Sequence, residues 1–195
     1  HKNWLFLQKK IMNSFVSLPI KSIKRLTKDS VQLSFDTENS SDFNFIPGQY
    51  ITVKSVINGT EERRAYSICS TLDEGLAIGV KLVEGGKMST FLTKDISVGD
   101  ALDIMPPSGN FTLSTKNNHI VGICAGSGIT PILSMIKSEL NTSTTSKVTL
   151  IYSNRNSSSV MFKIVLEELE KNYPNRLKIH WFYSQEKVQS STFGR

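Results

Sequence analysis

A chain of 195 residues can form one large domain or two small ones, and its 38% hydrophobic and 21% charged residues exclude wholesale disorder. The lysines and arginines behind its net charge of +6 are scattered along the chain, which argues against a nucleic-acid partner. No apolar run is long enough to span a bilayer, so we expect a cytoplasmic protein without a membrane partner.

The chain begins with His rather than Met, and a short apolar stretch lies between basic residues near its start. We expect residues 1–13 to be a tag remnant or a disordered arm; a short membrane-touching arm is the alternative. Cys69 and Cys124 are the two cysteines, too few for a zinc site or an iron–sulfur cluster with four protein ligands. The three histidines are widely separated, so we predict no metal site.

Short alternating apolar runs, separated by turn residues, recur through the first half of the chain. Asn58-Gly59 between two of them is a strong hairpin signal. A helix is predicted at Ser89–Lys94, after Gly85-Gly86. The pattern predicts a small antiparallel β-barrel over residues 14–113, with strands at Val16–Ile23, Val31–Phe35, Tyr50–Val56, Arg63–Cys69, Leu76–Leu82 and Ala101–Met105.

After a polar linker at residues 114–118 the apolar period changes, and strands alternate with helices. This order predicts a parallel sheet with right-handed crossovers over residues 118–195. The predicted elements are His119–Cys124, Pro131–Leu140, Val148–Tyr152, Met161–Lys171 and Leu177–Tyr183. Three parallel strands make an incomplete α/β domain with the first strand exposed at an edge, so we expect the front part of a longer protein.

The tetrapeptide Arg64-Ala65-Tyr66-Ser67 lies on the fourth predicted strand. Because alternate residues of a strand share a face, Arg64 and Tyr66 can act together. A guanidinium binds a pyrophosphate with two bonds, and a phenol ring stacks on a flavin ring. Ser67 either faces the other side or reaches the flavin from its edge. The alternative is an ordinary barrel strand with a buried tyrosine and a surface arginine.

The segment Gly85-Gly86-Lys87-Met88-Ser89-Thr90 combines two glycines with a helix start. The glycines allow close backbone approach, and the helix N-terminus can take the second half of a pyrophosphate. We predict that Ser89 or Thr90 caps this helix. An ordinary Gly-Gly turn with a helix cap is the alternative.

The segment from Gly126 to Pro131 breaks a buried strand into a glycine-rich turn and a helix, as in dinucleotide-binding folds. Pro131 stands where the usual fingerprint has its third glycine, and proline is tolerated in a first helical turn. The next strand ends in Ser153-Asn154-Arg155 without the usual acidic residue. Arg155 suits a 2′-phosphate and therefore favours NADPH over NADH; a solvated loop charge is the alternative.

Taken in this order, the motifs resemble the ferredoxin–NADP reductase superfamily. Within it, residues 62–69, 80–86 and 182–186 are similar to the oxygenase reductases of bacterial phenylacetate degradation. The similarity runs from about residue 14 to the end of the chain. It implies an FAD-binding barrel followed by an NADP-binding α/β domain, hydride transfer from the nicotinamide to flavin N5, and single-electron transfer to a ferredoxin-like domain or an oxygenase component.

The resemblance also implies roles for individual residues. Arg64 would bind the FAD pyrophosphate, and Tyr66, Ser67 and Thr130 would form the catalytic group around the flavin and nicotinamide rings. The remaining cofactor-binding residues fall into three groups along the chain. On the barrel they are Ile68, Val80, Lys81, Gly86, Lys87, Met88 and Ser89; on the glycine-rich turn, Gly126, Ser127 and Gly128; and around the 2′-phosphate, Arg155, Ser184 and Arg195.

The sequence departs from the family pattern in two places, and each leaves an alternative interpretation open. Gln185 stands where many ferredoxin reductases carry an arginine, so NADH stays possible. The family's Cys-Gly-Pro segment is absent, and a 2Fe–2S cluster is expected only in a missing C-terminal domain. The alternative function is therefore a flavin-binding module without turnover.

Overall fold

The computed structural model describes residues 14–38, 40–113 and 118–186, so the expected tag remnant or arm at residues 1–13 lies outside the described residues. Its first part is an antiparallel sheet whose strands follow the order β4-β3-β6-β1-β2-β5. Its strands are β1 (Val16–Thr27), β2 (Ser30–Phe35), β3 (Tyr50–Ile57), β4 (Thr60–Ser67), β5 (Ala77–Lys81) and β6 (Ala101–Ser108).

A single bridge between Ile68 and Ile78 curls this sheet toward a barrel. It brings together the ends of β4 and β5, which are the two outer strands in the sheet order. Alternate side chains of the strands fill the interior, and Ile51, Val53 and Ile104 are fully buried there. The predicted antiparallel barrel is thus confirmed.

The predicted hairpin at Asn58-Gly59 is present between β3 and β4. Asn58 has φ 51° and Gly59 has φ 73°, which is the left-handed pair of conformations that a two-residue hairpin turn requires. Ile57 pairs with Thr60 directly across the turn. The register of the hairpin places Arg64 opposite Val53 and Tyr66 opposite Ile51.

One short helix interrupts the barrel strands. Helix α1 (Lys87–Thr90) continues into a π-helical turn at Phe91–Asp95. The predicted helix began at Ser89, two residues too late. Met88 and Leu92 point into the barrel core and anchor the helix there.

The second part of the chain is a parallel sheet, as predicted, and its strands follow the order β7-β8-β9. Both helices cover the same face of the sheet, because their buried residues share one apolar cluster with Leu150 and Tyr152 of β8. Its elements are β7 (His119–Ala125), α2 (Ile129–Thr142), β8 (Lys147–Asn154), α3 (Lys163–Asn172) and β9 (Leu177–Tyr183).

Helix α3 begins two residues later than predicted, because Phe162 precedes it with φ 60°. A left-handed residue cannot continue a right-handed helix in the N-terminal direction. The ring of Phe162 is buried and lies against β5 of the barrel, so the strained backbone is held by packing.

The barrel packs against helix α2 of the second unit. Cys69 and Ala77 from the barrel are buried in the same apolar cluster as Ile129 of α2. The hydroxyl of Ser134 donates to the Ser70 carbonyl at 2.6 Å. Lys137 of α2 forms an ion pair with Glu74 at 2.8 Å. These contacts fix the ends of β7 and β8 beside the barrel.

Candidate functional site

The carboxylate of Glu62 has little solvent exposure and lies between two basic side chains, Arg64 and Lys87. From the sequence we expected both of these side chains to bind a pyrophosphate. Glu62 lies 3.1 Å from the Arg64 guanidinium and 3.2 Å from the Lys87 amine. The Glu62 side chain is 12% exposed, whereas Arg64 is 58% and Lys87 54% exposed. Strand β4 and helix α1 therefore present two cations side by side to solvent, above one fixed anion.

Tyr66 lies two residues beyond Arg64 on the same strand, half-buried against the barrel core. Its ring is close enough to Arg64 for the positive charge to affect its ionisation. Ser67 is half-buried and pairs with Tyr50 on β3. The structure thus places Arg64 near Tyr66 and, through Glu62, near Lys87, while the cofactor roles of these residues stay predictions.

Burial raises the pKa of Tyr66 from 10.0 to about 12, and the charge of Arg64 opposes part of the increase. The folded state therefore binds more protons than the unfolded chain between pH 10 and 12, and stability falls as the pH rises through that window. We expect a Tyr66→Phe variant to lose less free energy of unfolding across this window than the wild type, as measured by urea denaturation.

Cys69 provides the internal control for that experiment. Burial raises the pKa of its thiol from 9.0 to about 12, so it also weakens the fold at alkaline pH. Both proteins retain this thiol, and their difference isolates the Tyr66 phenol. If the free energy of unfolding fell equally with pH in the wild type and in Tyr66→Phe, the Tyr66 ring would not be desolvated.

The Gly85-Gly86 turn directly precedes α1, and two hydroxyl groups of α1 form hydrogen bonds back to this turn. Ser89 Oγ and Thr90 Oγ1 both donate to the Gly86 carbonyl, at 3.1 and 2.7 Å. The prediction that Ser89 or Thr90 caps the helix was wrong, because Gly86 is the N-cap and no side chain caps it. Donors for an anion here are the backbone N–H groups of the first turn, which have no acceptor within the helix.

Three predicted cofactor residues turn their side chains into the barrel. Ile68, Val80 and Met88 are almost fully buried in its apolar core. Their side chains face away from any ligand outside the barrel, so a cofactor role for them stays a prediction of backbone contact. Lys81 instead reaches the cleft between the sheets and lies 3.8 Å from Asp29.

The glycine-rich turn after β7 is held by the neighbouring strand. The hydroxyl of Tyr152 on β8 donates to the Gly126 carbonyl at 2.8 Å. Gly126 has φ 51°, a conformation that glycine adopts without strain. Ser127 and Gly128 follow in a 3-10 turn, and the backbone of this turn faces the cleft. The turn therefore offers its backbone to a ligand in a fixed geometry.

Thr130 is buried just behind this turn. Its hydroxyl donates to the Ser127 carbonyl at 3.0 Å. Its methyl group points at Gly79 of β5, where a Cβ atom would lie only 2.7 Å from Thr130 Cγ2. Gly79 is therefore a position at which the barrel and the α/β sheet approach tightly around a predicted catalytic residue.

A cleft of about 770 Å³ lies between the two sheets, a size typical of small-molecule sites. On the barrel side it is lined by Asp29, by Thr90 and Lys94, and by residues 81–85. On the other side the ends of three parallel strands contribute Ala125, Gly126, Ser127, Ser153, Asn154, Arg155 and Ser184. Ligands of open parallel sheets bind at this edge.

Arg155 and Ser184 lie side by side in the cleft, since the backbone ladder extends beyond the strands. Ser184 N–H donates to the Asn154 carbonyl at 3.0 Å, and Gln185 N–H donates to the Arg155 carbonyl at 2.8 Å. The Glu186 carboxylate accepts bonds from the backbone and hydroxyl of Ser157 at 2.6 and 3.2 Å, which fixes the loop after Arg155. Arg195 lies outside the described residues.

Sequence reasoning assigned no role to four residues that shape this region: Glu62, Gly79, Tyr152 and Asn154. Two of them, Glu62 and Gly79, could have been identified from their positions in the sequence. Glu62 stands two residues before Arg64 on a strand, hence on the same face, and a lone glycine inside a strand such as Gly79 indicates close backbone approach. Tyr152 and Asn154 looked like ordinary strand residues.

Comparison with known proteins matches both halves of the chain to described families. Residues 17–113 match the "Oxidoreductase FAD-binding domain" and residues 117–192 match the "Ferric reductase NAD binding domain". The two matches meet near the linker predicted from the sequence.

Two curated relatives extend this match along nearly the whole chain. One component of the 1,2-phenylacetyl-CoA epoxidase of Escherichia coli is 38% identical over 92% of this chain and 52% of its own length. The ferredoxin reductase component of 3-ketosteroid-9-alpha-monooxygenase from Mycobacterium tuberculosis is 34% identical over 91% of this chain and 52% of its own. The chain thus spans about half the length of these relatives.

A solved structure shows the same fold. Ferredoxin-NADP+ reductase from Plasmodium falciparum, crystallised with 2'P-AMP, has a TM-score of 0.78 and 23% identity, with 90% of this chain and 76% of that chain covered. The matching domains, the relatives and the fold define a class, the flavin- and pyridine-nucleotide-dependent oxidoreductases. The chain joins a segment that matches an FAD-binding domain to one that matches an NAD-binding domain, and it has the fold of a ferredoxin–NADP reductase.

Among the described residues, no helix has the length and apolar character needed to cross a membrane.

Proposed function

We propose that this protein is the reductase of an oxygenase system, which oxidises NADPH and delivers single electrons to an iron–sulfur centre or an oxygenase component. Bound FAD supplies the chemistry that makes this possible, because a flavin accepts two electrons as hydride and releases them singly. The names of the two curated relatives, an epoxidase component and a monooxygenase ferredoxin reductase component, support this assignment.

The observation that carries the proposal is that the barrel and the α/β unit each present a site suited to an anion. Arg64 and Lys87 form a double cation on the barrel, and the cleft between the sheets holds a glycine-rich turn and Arg155. One suits the FAD pyrophosphate and the other an anionic dinucleotide. The residues present therefore fit both cofactors.

The protein's own residues then have distinct tasks. Arg64 and Lys87 bind the FAD phosphates, and Tyr66 supports the flavin ring with its phenol, which is uncharged at neutral pH. Thr130, fixed by its bond to the Ser127 carbonyl, presents a wall between the two ring sites. Arg155 and Ser184 bind the 2′-phosphate of NADPH.

The direct test is anaerobic reduction of the FAD-loaded protein. NADPH is expected to bleach the flavin absorbance, with stopped-flow mixing used to measure the rate. Flavin that is bound but never reduced would favour the alternative of a flavin-binding module without turnover. A protein that remains colourless after incubation with FAD would overturn both.

Arg155→Ala tests the cofactor preference. The variant is expected to bind NADPH about 10- to 100-fold more weakly, as for a lost hydrogen bond to a charged group. Binding of NADH, which lacks the 2′-phosphate, should change little. Lys178→Ala removes an exposed cation of β9 that does not line the cleft and serves as the control. Equal losses for both nucleotides would contradict the assigned role.

A further inference from the structure

Glu62 is a carboxylate between the two cations that we propose to bind the FAD phosphates. Its Oε2 lies 3.1 Å from Arg64 Nη2, and its Oε1 lies 3.2 Å from Lys87 Nζ. A negative charge at this place repels a bound phosphate. Any favourable contribution of Glu62 to cofactor binding must therefore come from its effect on the two cations.

The two oxygens of Glu62 hold cations from different elements of the barrel. Arg64 lies on β4, and Lys87 is the first residue of α1. Arg64 has a second fixed contact, because its Nη1 donates to the Arg63 carbonyl at 2.7 Å. The amine of Lys87 has no ion pair with any other described residue. Glu62 is thus the group that holds Lys87 beside Arg64.

The ion pairs with Glu62 leave donors available for a ligand. A guanidinium carries five N–H donors and an ammonium carries three. The contacts with Glu62 and with the Arg63 carbonyl leave further donors on both cations, and both side chains are more than half exposed. A phosphate can therefore bind Arg64 and Lys87 without displacing the carboxylate.

We propose that Glu62 is a positioning residue, which orders Arg64 and Lys87 in advance as a two-cation receptor for the diphosphate of FAD. Long side chains lose rotamer freedom when they bind a ligand, and a contact that orders them beforehand removes part of that cost. This inference rests on the proposed function, because it requires the two cations to bind the FAD phosphates.

Two opposing effects of the Glu62 charge decide the sign of a substitution. The repulsion between the carboxylate and a phosphate acts across an exposed site, where water and salt weaken it. The ion pairs themselves are screened less, because the Glu62 side chain is only 12% exposed. We therefore expect the ordering of the cations to exceed the repulsion at an ionic strength of about 0.15 M.

The main test titrates the flavin-free chain with FAD, FMN and riboflavin at that ionic strength, followed by flavin fluorescence. Glu62→Gln keeps the shape of the side chain and removes its charge. The variant is expected to bind FAD about 3- to 10-fold more weakly, the range for ordering one long side chain on binding. FMN, with one phosphate, should lose less, and riboflavin, with none, should bind both proteins equally.

Two results of this titration would overturn the proposal. Unchanged or tighter binding of FAD by Glu62→Gln would show that repulsion equals or exceeds the gain from ordering. Equal losses for all three flavins would indicate a general distortion of the barrel.

Glu61→Gln is the matched control, since it removes the same charge from the neighbouring residue. Glu61 pairs with Arg63 at 2.7 Å, and the alternation of the strand directs this pair to the other face. The control should leave FAD affinity unchanged. A loss of the same size as in Glu62→Gln would assign the effect to net charge and contradict a positioning role.

A double-mutant cycle tests whether Glu62 acts through Lys87. The pair Lys87→Ala and Lys87→Ala/Glu62→Gln is compared with the wild type and Glu62→Gln. Substitution of Glu62 should lower FAD affinity less when the amine is already absent, because the two changes remove parts of one interaction. Strictly additive losses would rule out positioning of Lys87 by Glu62.

The mobility of Lys87 in the flavin-free chain is a readout that a merely structural role of Glu62 would not change. It is measured by 13C relaxation of the Lys87 Cε group, whose signal is assigned from its absence in Lys87→Ala. The side chain should be more mobile in Glu62→Gln than in the wild type. Equal mobility in the two proteins would contradict the proposal. The midpoint of urea unfolding should change little, because ion pairs to exposed cations contribute little stability.

If Glu62→Gln does not fold, Glu62→Asp replaces it, because aspartate keeps the charge but has a shorter reach. This variant should bind FAD more weakly than the wild type and riboflavin equally well; FAD binding of wild-type strength would overturn the inference. If only the Glu62 variants lack the expected effects, the proposed function stays intact. Failure of the wild type to bind any flavin would overturn both.

Discussion

Gly79→Ala is expected to impair both the stability of the protein and the reduction of its flavin. A Cβ atom at this position would lie 2.7 Å from Thr130 Cγ2, 3.0 Å from Phe162 Cζ and 3.1 Å from Met161 Cε. Such overpacking typically costs about 1–3 kcal/mol. Because Thr130 is the predicted wall between the ring sites, its displacement should also slow flavin reduction by about tenfold or more. Urea denaturation and stopped-flow reduction by NADPH measure the two effects.

The matched control for Gly79→Ala is the double variant Gly79→Ala/Thr130→Ser. Serine lacks the methyl group nearest to the added Cβ but keeps the hydroxyl that donates to the Ser127 carbonyl. The double variant should therefore be more stable than Gly79→Ala alone and recover part of the reduction rate. Strictly additive losses would show that the clash with Thr130 is not the cause.

Arg64→Ala is expected to weaken FAD binding by about 10- to 100-fold, the range for a lost hydrogen bond to a charged group. The physical reason is the loss of one of the two cations that Glu62 holds side by side. Affinity is measured by flavin fluorescence during titration with FAD. Riboflavin, which has no phosphate, should bind the variant and the wild type equally.

Arg63→Ala is the matched control on the same strand. Arg63 is 57% exposed and pairs with Glu61 at 2.7 Å, in a second Glu–Arg pair one residue out of phase with Glu62 and Arg64. The alternation of the strand directs this pair to the other face. Its removal should leave FAD affinity unchanged; losses of equal size in both variants would indicate a general effect of charge rather than a site.

Much of the fold was predictable because the periodicity of apolar residues is a local property of the chain. The Asn58-Gly59 hairpin and the alternating strand–helix order of the second half follow from turn chemistry and period alone. The residues at which the helices begin were predicted less accurately. Helix α3 starts late because Phe162 is held at φ 60° by packing against Gly79, a residue far away in the sequence.

The candidate site was likewise predictable only in part. The motifs at residues 64–67, 86–89 and 126–130 were visible as residue types at fixed spacing, because phosphate and ring recognition need those types. That Ile68, Val80 and Met88 turn inward could not be read locally, because inward and outward faces are set by how the sheet curls. The role of Glu62 between Arg64 and Lys87 also required the contact of β4 with α1.

The sequence by itself determined the order of the two units and the chemical groups available for binding, because periodicity and residue type are written along the chain. Only the tertiary structure decided which of these groups meet. It placed Lys87 beside Arg64 around one carboxylate and packed Gly79 against Thr130. Such pairings depend on packing between distant segments, and no local pattern of residues encodes that packing on its own.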